Sequence, residues 1–307
     1  MDPAADIAGA AVALKAGGLV ILPTETVYGL AADAGDAQAV AAIYAAKGRP
    51  AFNPLIAHVA DAAAARRIAV FEERAERLAA AFWPGPLTLV LPVADEAAVC
   101  DLARAGLDTV AVRAPAHPMA RALLEAFGGP LVAPSANRSG RPSPTTFADA
   151  VEETGAAAAA ALDGGACAIG LESTVVALLD RPRLLRPGAI TRSQIEALIG
   201  PIFEAEADAK RSPGRLTRHY APDLPLRLNA KEPRTDEVWL SFGPRGGHGF
   251  NLSPAGDLTE AAAKLFAYLR AADRSDGAAG IAVAPIPDAG LGEAINDRLR
   301  RAAGFVG

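Results

Sequence analysis

Short apolar runs separated by stretches of helical period recur over residues 3–199 of this 307-residue chain, and they constrain its fold more than any other feature. Alternation of this kind builds an α/β domain, with helices covering a central sheet. Residues 3–16 read as a helix, because Ile7, Ala11 and Leu14 share one face and Gly17 with Gly18 ends it. Strands are expected over 19–22, 55–59, 87–91, 109–113, 131–133, 174–179 and 183–185. Helices are expected over 37–46, within 61–82, over 119–127 and over 192–199. The alanine run 156–161 reads as a helix or a buried strand.

Between 205 and 222 the periodicity breaks, and Lys210, Arg211, Pro213, Gly214, Arg215, Arg218 and Pro222 make a basic, turn-rich connector. Beyond it, strands over 237–242 and 280–284 alternate with helices over 259–270 and 293–302, the pattern of a second, smaller α/β domain. The expected division is 1–204 for the larger domain, 205–222 for the linker and 223–307 for the smaller domain.

Composition then removes several function classes. No apolar run approaches the length needed to cross a bilayer, so no membrane partner is expected. The first residues carry Asp2 and Asp6 and lack a basic start, which points to a cytoplasmic address. Two cysteines, Cys100 and Cys167, make neither a disulfide framework nor a metal knuckle. A formal net charge of −5 disfavours indiscriminate nucleic-acid binding, while leaving room for one locally basic cleft. Walker A, dinucleotide-binding, zinc-protease and nucleophile-elbow signatures are all absent. Four histidines lie far apart in the chain, so no metal site built from protein ligands is expected.

What remains is a set of polar segments at the ends of predicted strands, where open α/β sheets bind ligands. Thr24, Glu25, Thr26 and Tyr28 leave the first strand; their hydroxyls suit either a ligand or a turn that caps its own backbone. Lys47 and Arg49 flank Gly48 at a helix end, as a polyphosphate grip or as cations complementing the helix dipole. His58 ends a strand and by itself reads as a core histidine. Arg113 ends another and needs an anion, from a substrate or from an internal carboxylate. Ser135, Asn137 and Ser143 lie on a polar loop able to present N–H groups, Ser173 precedes a strand, and Arg186 ends one. Convergence of these cations and hydroxyls in one cleft suits ATP with a small carboxylate better than a hydrolase, because no nucleophile–His pairing is apparent.

Thr24 to Leu30, Lys47-Gly48-Arg49-Pro50 with Asn53-Pro54-Leu55, and Pro134-Ser135-Ala136-Asn137 together resemble the YrdC family. The connector from Ser212 to Pro222, and Gly290 to Arg298 in the tail, are similar to its long two-domain form. This resemblance implies a twisted mixed α/β sheet joined to a smaller Rossmann-like domain. It also implies a nucleotidyltransferase that condenses L-threonine, bicarbonate and ATP, with Mg2+ on the phosphates and none held by protein. The product, threonylcarbamoyl-AMP, would serve a downstream tRNA threonylcarbamoyltransferase complex acting on tRNAs that read codons beginning with A; direct tRNA binding is not required.

Carried over by motif, Thr26, His58, Arg113, Ala133 and Ser173 are expected at threonine, and Arg49, Asn53, Thr109, Ser135, Ser143 and Arg186 at the nucleotide. Lys47, Arg49 and Asn137 form the implied catalytic cluster, and Tyr220 the lid. Arg215 and Leu216 stand where many long members have Met-Lys, and Ala133 where some have threonine. Two other readings fit parts of the chain. A carbamoyl-adenylate former of hydrogenase maturation would need zinc fingers that two cysteines cannot build, and an RNA-binding module sits poorly with the acidic balance.

Overall fold

The computed structural model describes residues 3–95, 98–204, 219–244 and 249–304. Its first part runs α1 (Pro3–Lys15), β1 (Val20–Leu22), β2 (Gly29–Asp33), α2 (Ala37–Lys47), β3 (Ile56–His58), α3 (Ala62–Ile68) and α4 (Glu73–Phe82). Next come β4 (Leu87–Pro92), α5 (Asp101–Arg104), β5 (Thr109–Arg113), α6 (Pro118–Phe127), β6 (Leu131–Val132), α7 (Phe147–Thr154) and β7 (Ala160–Ala161). The part closes with β8 (Thr174–Leu178), β9 (Pro182–Arg186), α8 (Arg192–Ile199) and β10 (Phe203–Glu204).

These ten strands form one mixed sheet in the order β10, β9, β8, β4, β5, β3, β6, β2, β1, β7. Alternation along the central strands decides what each face does. Leu87, Leu89 and Leu91 of β4 enter the main core with Leu78, Ile43 and Val112, under the helices. Val90 points the other way and joins Ile56, Ala111, Val175, Ala177 and Leu185 in a small apolar floor. His58 and Arg113 stand side by side at the ends of the parallel strands β3 and β5, at the rim of that floor. Arg186 lies opposite Val175 across a bulge between β8 and β9.

The second part runs β11 (Leu226–Arg227), β12 (Glu237–Ser241), β13 (Gly249–Asn251), α9 (Leu258–Asp273), β14 (Gly280–Val283) and α10 (Leu291–Ala302). Its sheet, ordered β11, β14, β12, β13, is parallel throughout. The molecule is thus a mixed α/β domain with a smaller parallel α/β domain, as expected. Val27, Leu171 and Tyr220 belong to the second domain's core, packed with Leu265, Phe266 and Ile295. Helix α9 passes so close to Gly170 that a Cβ there would lie 2.5 Å from the Ala262 carbonyl oxygen. Polar contacts complete the join: Arg270 donates to Glu153 at 3.0 Å, and Arg274 pairs with Asp149 and Glu152.

Two local expectations are corrected. The alanine run forms a 3-10 turn, Gly155–Ala157, followed by a two-residue strand, β7, that pairs with β1 at the sheet's edge and leaves Ala161 exposed. The strand expected over 131–133 stops at Val132, where the chain turns into the polar loop. Residues 205–218, including the connector's Lys210, Arg215 and Leu216, lie outside the described residues.

Candidate active site

The first segment answers its two readings one residue at a time. Thr24 closes the turn: its Oγ1 donates to the Val27 carbonyl at 2.7 Å and accepts from the Thr26 and Val27 N–H groups. Thr26 instead accepts from Arg113 Nη1 at 2.9 Å. Arg113 also pairs with Glu25 at 2.5 Å and donates to Gly85 O, so an internal carboxylate and an open cleft share one guanidinium. Burial raises the Glu25 carboxyl, but the Arg113 charge and hydrogen bond, with backbone N–H bonds from Glu25 and Ala116, together outweigh it and hold the group below its ordinary value.

Helix α2 places the next pair. Asp36 caps its N-terminus, accepting from the Gln38 and Ala39 N–H groups, and Gly48 ends it in a left-handed conformation at φ 60°. This reversal sends the two cations apart. Lys47, 3% exposed, donates to the Ser135 and Asn137 carbonyls and so stands behind the polar loop. Burial and the neighbouring Arg49 charge hold its pKa well below the ordinary lysine value. Arg49 turns into the cleft, donating to the Asn53 and Pro54 carbonyls, with burial drawing it down to about 10.

A cavity of about 50 Å3 is lined by eight of the expected residues: Thr26, Arg49, His58, Arg113, Ala133, Ser135, Ser173 and Arg186. Tyr220 and His219 close it. Lys47, Asn53, Thr109, Asn137 and Ser143 do not line it. Asn137 Nδ2 ties the loop together through the Arg138 and Arg141 carbonyls. Ser143 donates to Glu172, a lining residue that sequence reasoning passed over. Thr109 begins β5 and reaches the floor side only by alternation with Ala111 and Arg113.

Hydroxyls in the cavity are not poised as nucleophiles. Ser173 Oγ lies 2.7 Å from Thr88 Oγ1 and accepts from Arg186 at 3.1 Å. His58 sets Nδ1 3.1 Å from the Ile56 carbonyl, which requires the proton on that nitrogen. Burial and the Arg113 charge push its pKa down to about 3, leaving the ring neutral. Buried polar atoms nevertheless await partners: Arg49 Nε, His219 Nδ1 and the Tyr220 hydroxyl have none among the described residues. Three arginines and one carboxylate supply the lining charge, a donor set for phosphate oxygens rather than for a metal ion.

An open α/β sheet with an arginine-lined cleft at its strand ends, covered from a second domain, defines a nucleotide-handling enzyme of two domains. The comparisons with known proteins agree. The family model Sua5/YciO/YrdC, described as "Telomere recombination", matches residues 12–188, and a model described as "Threonylcarbamoyl-AMP synthase, C-terminal domain" matches 190–304. The chain belongs to the Sua5/YciO/YrdC family, in its two-domain form, and is an enzyme of the nucleotidyltransferase type.

Among its relatives, the threonylcarbamoyl-AMP synthase of Bacillus subtilis is 41% identical over 99% of this chain and 94% of its own. That of Pyrococcus abyssi is 41% identical over 95% of this chain and 92% of its own. The crystal structure of P. abyssi Sua5 complexed with L-threonine superposes with a TM-score of 0.90 at 40% identity, covering 97% of this chain and 94% of that one.

Proposed function

We propose that this enzyme condenses L-threonine, bicarbonate and ATP to threonylcarbamoyl-AMP, releasing pyrophosphate. The observation that carries this reading is one cleft whose lining offers two kinds of group. Thr26, His58, Arg113 and Ser173 offer hydroxyl, imidazole and guanidinium groups suited to an amino acid, with Ala133 beside them. Arg49, Ser135 and Arg186 offer cations and a hydroxyl suited to phosphates, and Lys47 and Asn137 hold the Ser135 loop in place. Likeness to a threonine-bound structure over 97% of the chain supports the amino-acid part of this reading.

The chemistry needs no protein nucleophile. The threonine amine adds to bicarbonate and water leaves, giving an N-carboxylate. This new carboxylate attacks the α-phosphorus of ATP in line, and pyrophosphate departs. Holding the reactants together and offsetting phosphate charge supply most of the acceleration. Mg2+ would be carried by the triphosphate and would offset part of its charge, with no protein ligand required. Asn53, Thr109 and Ser143 serve the nucleotide side from behind the lining. Tyr220 acts as the lid: it excludes water from a mixed anhydride that water would cleave. Residues 1–204 form the catalytic part, 205–222 the linker and 223–307 the supporting domain. The product passes to a tRNA threonylcarbamoyltransferase complex in the cytoplasm, for tRNAs reading codons that begin with A.

Pyrophosphate release from ATP, with threonine and bicarbonate omitted in turn, tests the reading when paired with mass spectrometry of the nucleotide product. Release should require both, and threonylcarbamoyl-AMP should appear. Release that ignores either co-substrate would sink it.

A further inference from the structure

Glu172 is a carboxylate in the wall of a cleft otherwise charged by arginine. Left alone there, it would repel a phosphate and draw Arg186 to itself. Both its oxygens are engaged from outside the cavity. Ser143 Oγ donates to Oε1, and Arg298 Nε donates to Oε2 at 2.8 Å. Arg298 comes from helix α10 of the second domain and is 0% exposed. Its Nη2 donates to the Pro187 carbonyl at 3.1 Å, next to Arg186, and Nη1 pairs with Asp297 at 2.7 Å. Its guanidinium carbon lies 5.3 Å from the centre of the Tyr220 ring. Arg186 meanwhile hydrogen bonds to Ser173 O and Oγ, at 3.0 and 3.1 Å.

We infer that Arg298 is a positioning residue for the anion end of the cleft: by binding Glu172 from behind, it keeps that carboxylate off Arg186, whose charge then faces the substrate's phosphates. Arginine suits the task where lysine does not, because one planar fork reaches the Glu172 carboxylate and the Pro187 carbonyl together. The second domain therefore sets the charge inside the first domain's cleft, and removing it would leave the cleft with a competing anion. This inference rests on the anion-binding reading of the cleft, not on the identity of the amino acid.

Calorimetric titration of the full chain with pyrophosphate and with ATP tests it, using Arg298→Met and the double variant Arg298→Met/Glu172→Gln. Arg298→Met should weaken pyrophosphate binding by about tenfold or more, and adding Glu172→Gln should recover most of that loss, since no carboxylate remains to compete. A residue that merely braced the domain join would leave the double variant as weak as the single one, and that result overturns the inference. Should Arg298→Met fail to fold, Arg298→Lys with and without Glu172→Gln decides: the single variant, which keeps a charge but loses the fork, should weaken pyrophosphate binding and the double variant should recover it, and a double variant as weak as the single one overturns the proposal. Wild-type protein that binds pyrophosphate but makes no threonylcarbamoyl-AMP would remove the proposed reaction and leave this inference standing. Wild-type protein that binds neither ATP nor pyrophosphate would remove both.

Discussion

Lys47 and Arg49 are two residues apart, yet one turn at Gly48 gives them different work. Arg49→Ala should therefore lower kcat/KM for ATP by roughly a hundredfold to a thousandfold while the protein stays folded. Lys47→Met should instead cost about 1–3 kcal/mol of stability, because two buried carbonyls lose their donor. Pyrophosphate release and urea unfolding, measured on both variants, would show one pattern instead of two if the division of labour were wrong. Acidity provides a second prediction. His58 and His219 are pushed down to about 3, first by burial, whereas in the unfolded chain each takes its proton near 6.5. Their contribution is complete above pH 6.5 and falls as the solution is acidified, by up to about 1.4 kcal/mol per pH unit for each ring. His58→Gln should lose less stability than wild type between pH 7.5 and 5, and parallel losses in urea titrations would contradict the assignment. Arg113 and Arg186 were legible in the sequence because a cation at the end of an apolar strand needs an anion, and Arg49 because it follows a helix-ending glycine beside a second cation. Glu172 and Arg298 were not, since their reason for burial is each other, across 126 residues. A trace existed all the same: Arg298 falls on the buried stripe of α10 with Ala294, Ile295, Leu299 and Ala302.

At the scale of the element, α2 is held between two caps, and the second one aims the site. Gly48→Ala meets no steric obstacle, because nothing lies within 4 Å of the added Cβ, but the left-handed backbone should still cost about 1–2 kcal/mol. ATP binding should weaken with it, since Arg49 depends on that turn; unaltered stability and binding would show that the cap is dispensable. Tyr220 is the corresponding element on the other side of the cleft. It adopts φ 63°, packs edge-on against His219 at 4.0 Å and is followed by an Ala221 N–H bonded to Gly140 O. Tyr220→Ala should shorten the lifetime of the nucleotide product, followed by mass spectrometry; unchanged activity and lifetime would end the lid assignment. The sequence disclosed the elements with strong period or β-branched content, such as α6, β4 and β5, and the alanine-rich α1 through its Pro3 start and Gly17-Gly18 end. It hid β2, whose Gly29-Leu30-Ala31-Ala32-Asp33 lacks alternation, and the two-residue strands β10 and β11, which exist only through their neighbours. Helix α7 escaped notice because its eight residues follow a proline-rich loop, although Thr146 caps it by accepting from the Asp149 N–H.

Across the whole molecule, polar pairs fix how the domains meet. Arg270 and Glu153 are almost wholly buried, whereas Arg274 is half exposed. Arg270→Met should consequently cost about 1–3 kcal/mol, because Glu153 loses a buried partner while keeping the Arg138 N–H and Arg141. Arg274→Met should cost about 0–1 kcal/mol, and denaturant midpoints for the two variants should differ accordingly. Equal shifts would mean that the join depends on apolar contact alone. The presence of two domains was legible from the basic break in periodicity, but their mutual orientation was not. Contacts such as Arg270 with Glu153 repeat at no period and leave no mark on either helix's pattern. Val27 and Leu171 extend this dependence into the order of synthesis. Val27 is made about 240 residues before Leu265, the first of the core residues Leu265, Phe266 and Ile295, and Leu171 about a hundred residues before it. At typical elongation rates the shorter interval lasts roughly 5–20 s. A nascent chain paused there presents bare apolar side chains to its neighbours, so slow codons in the last third of the message should raise its demand for chaperones.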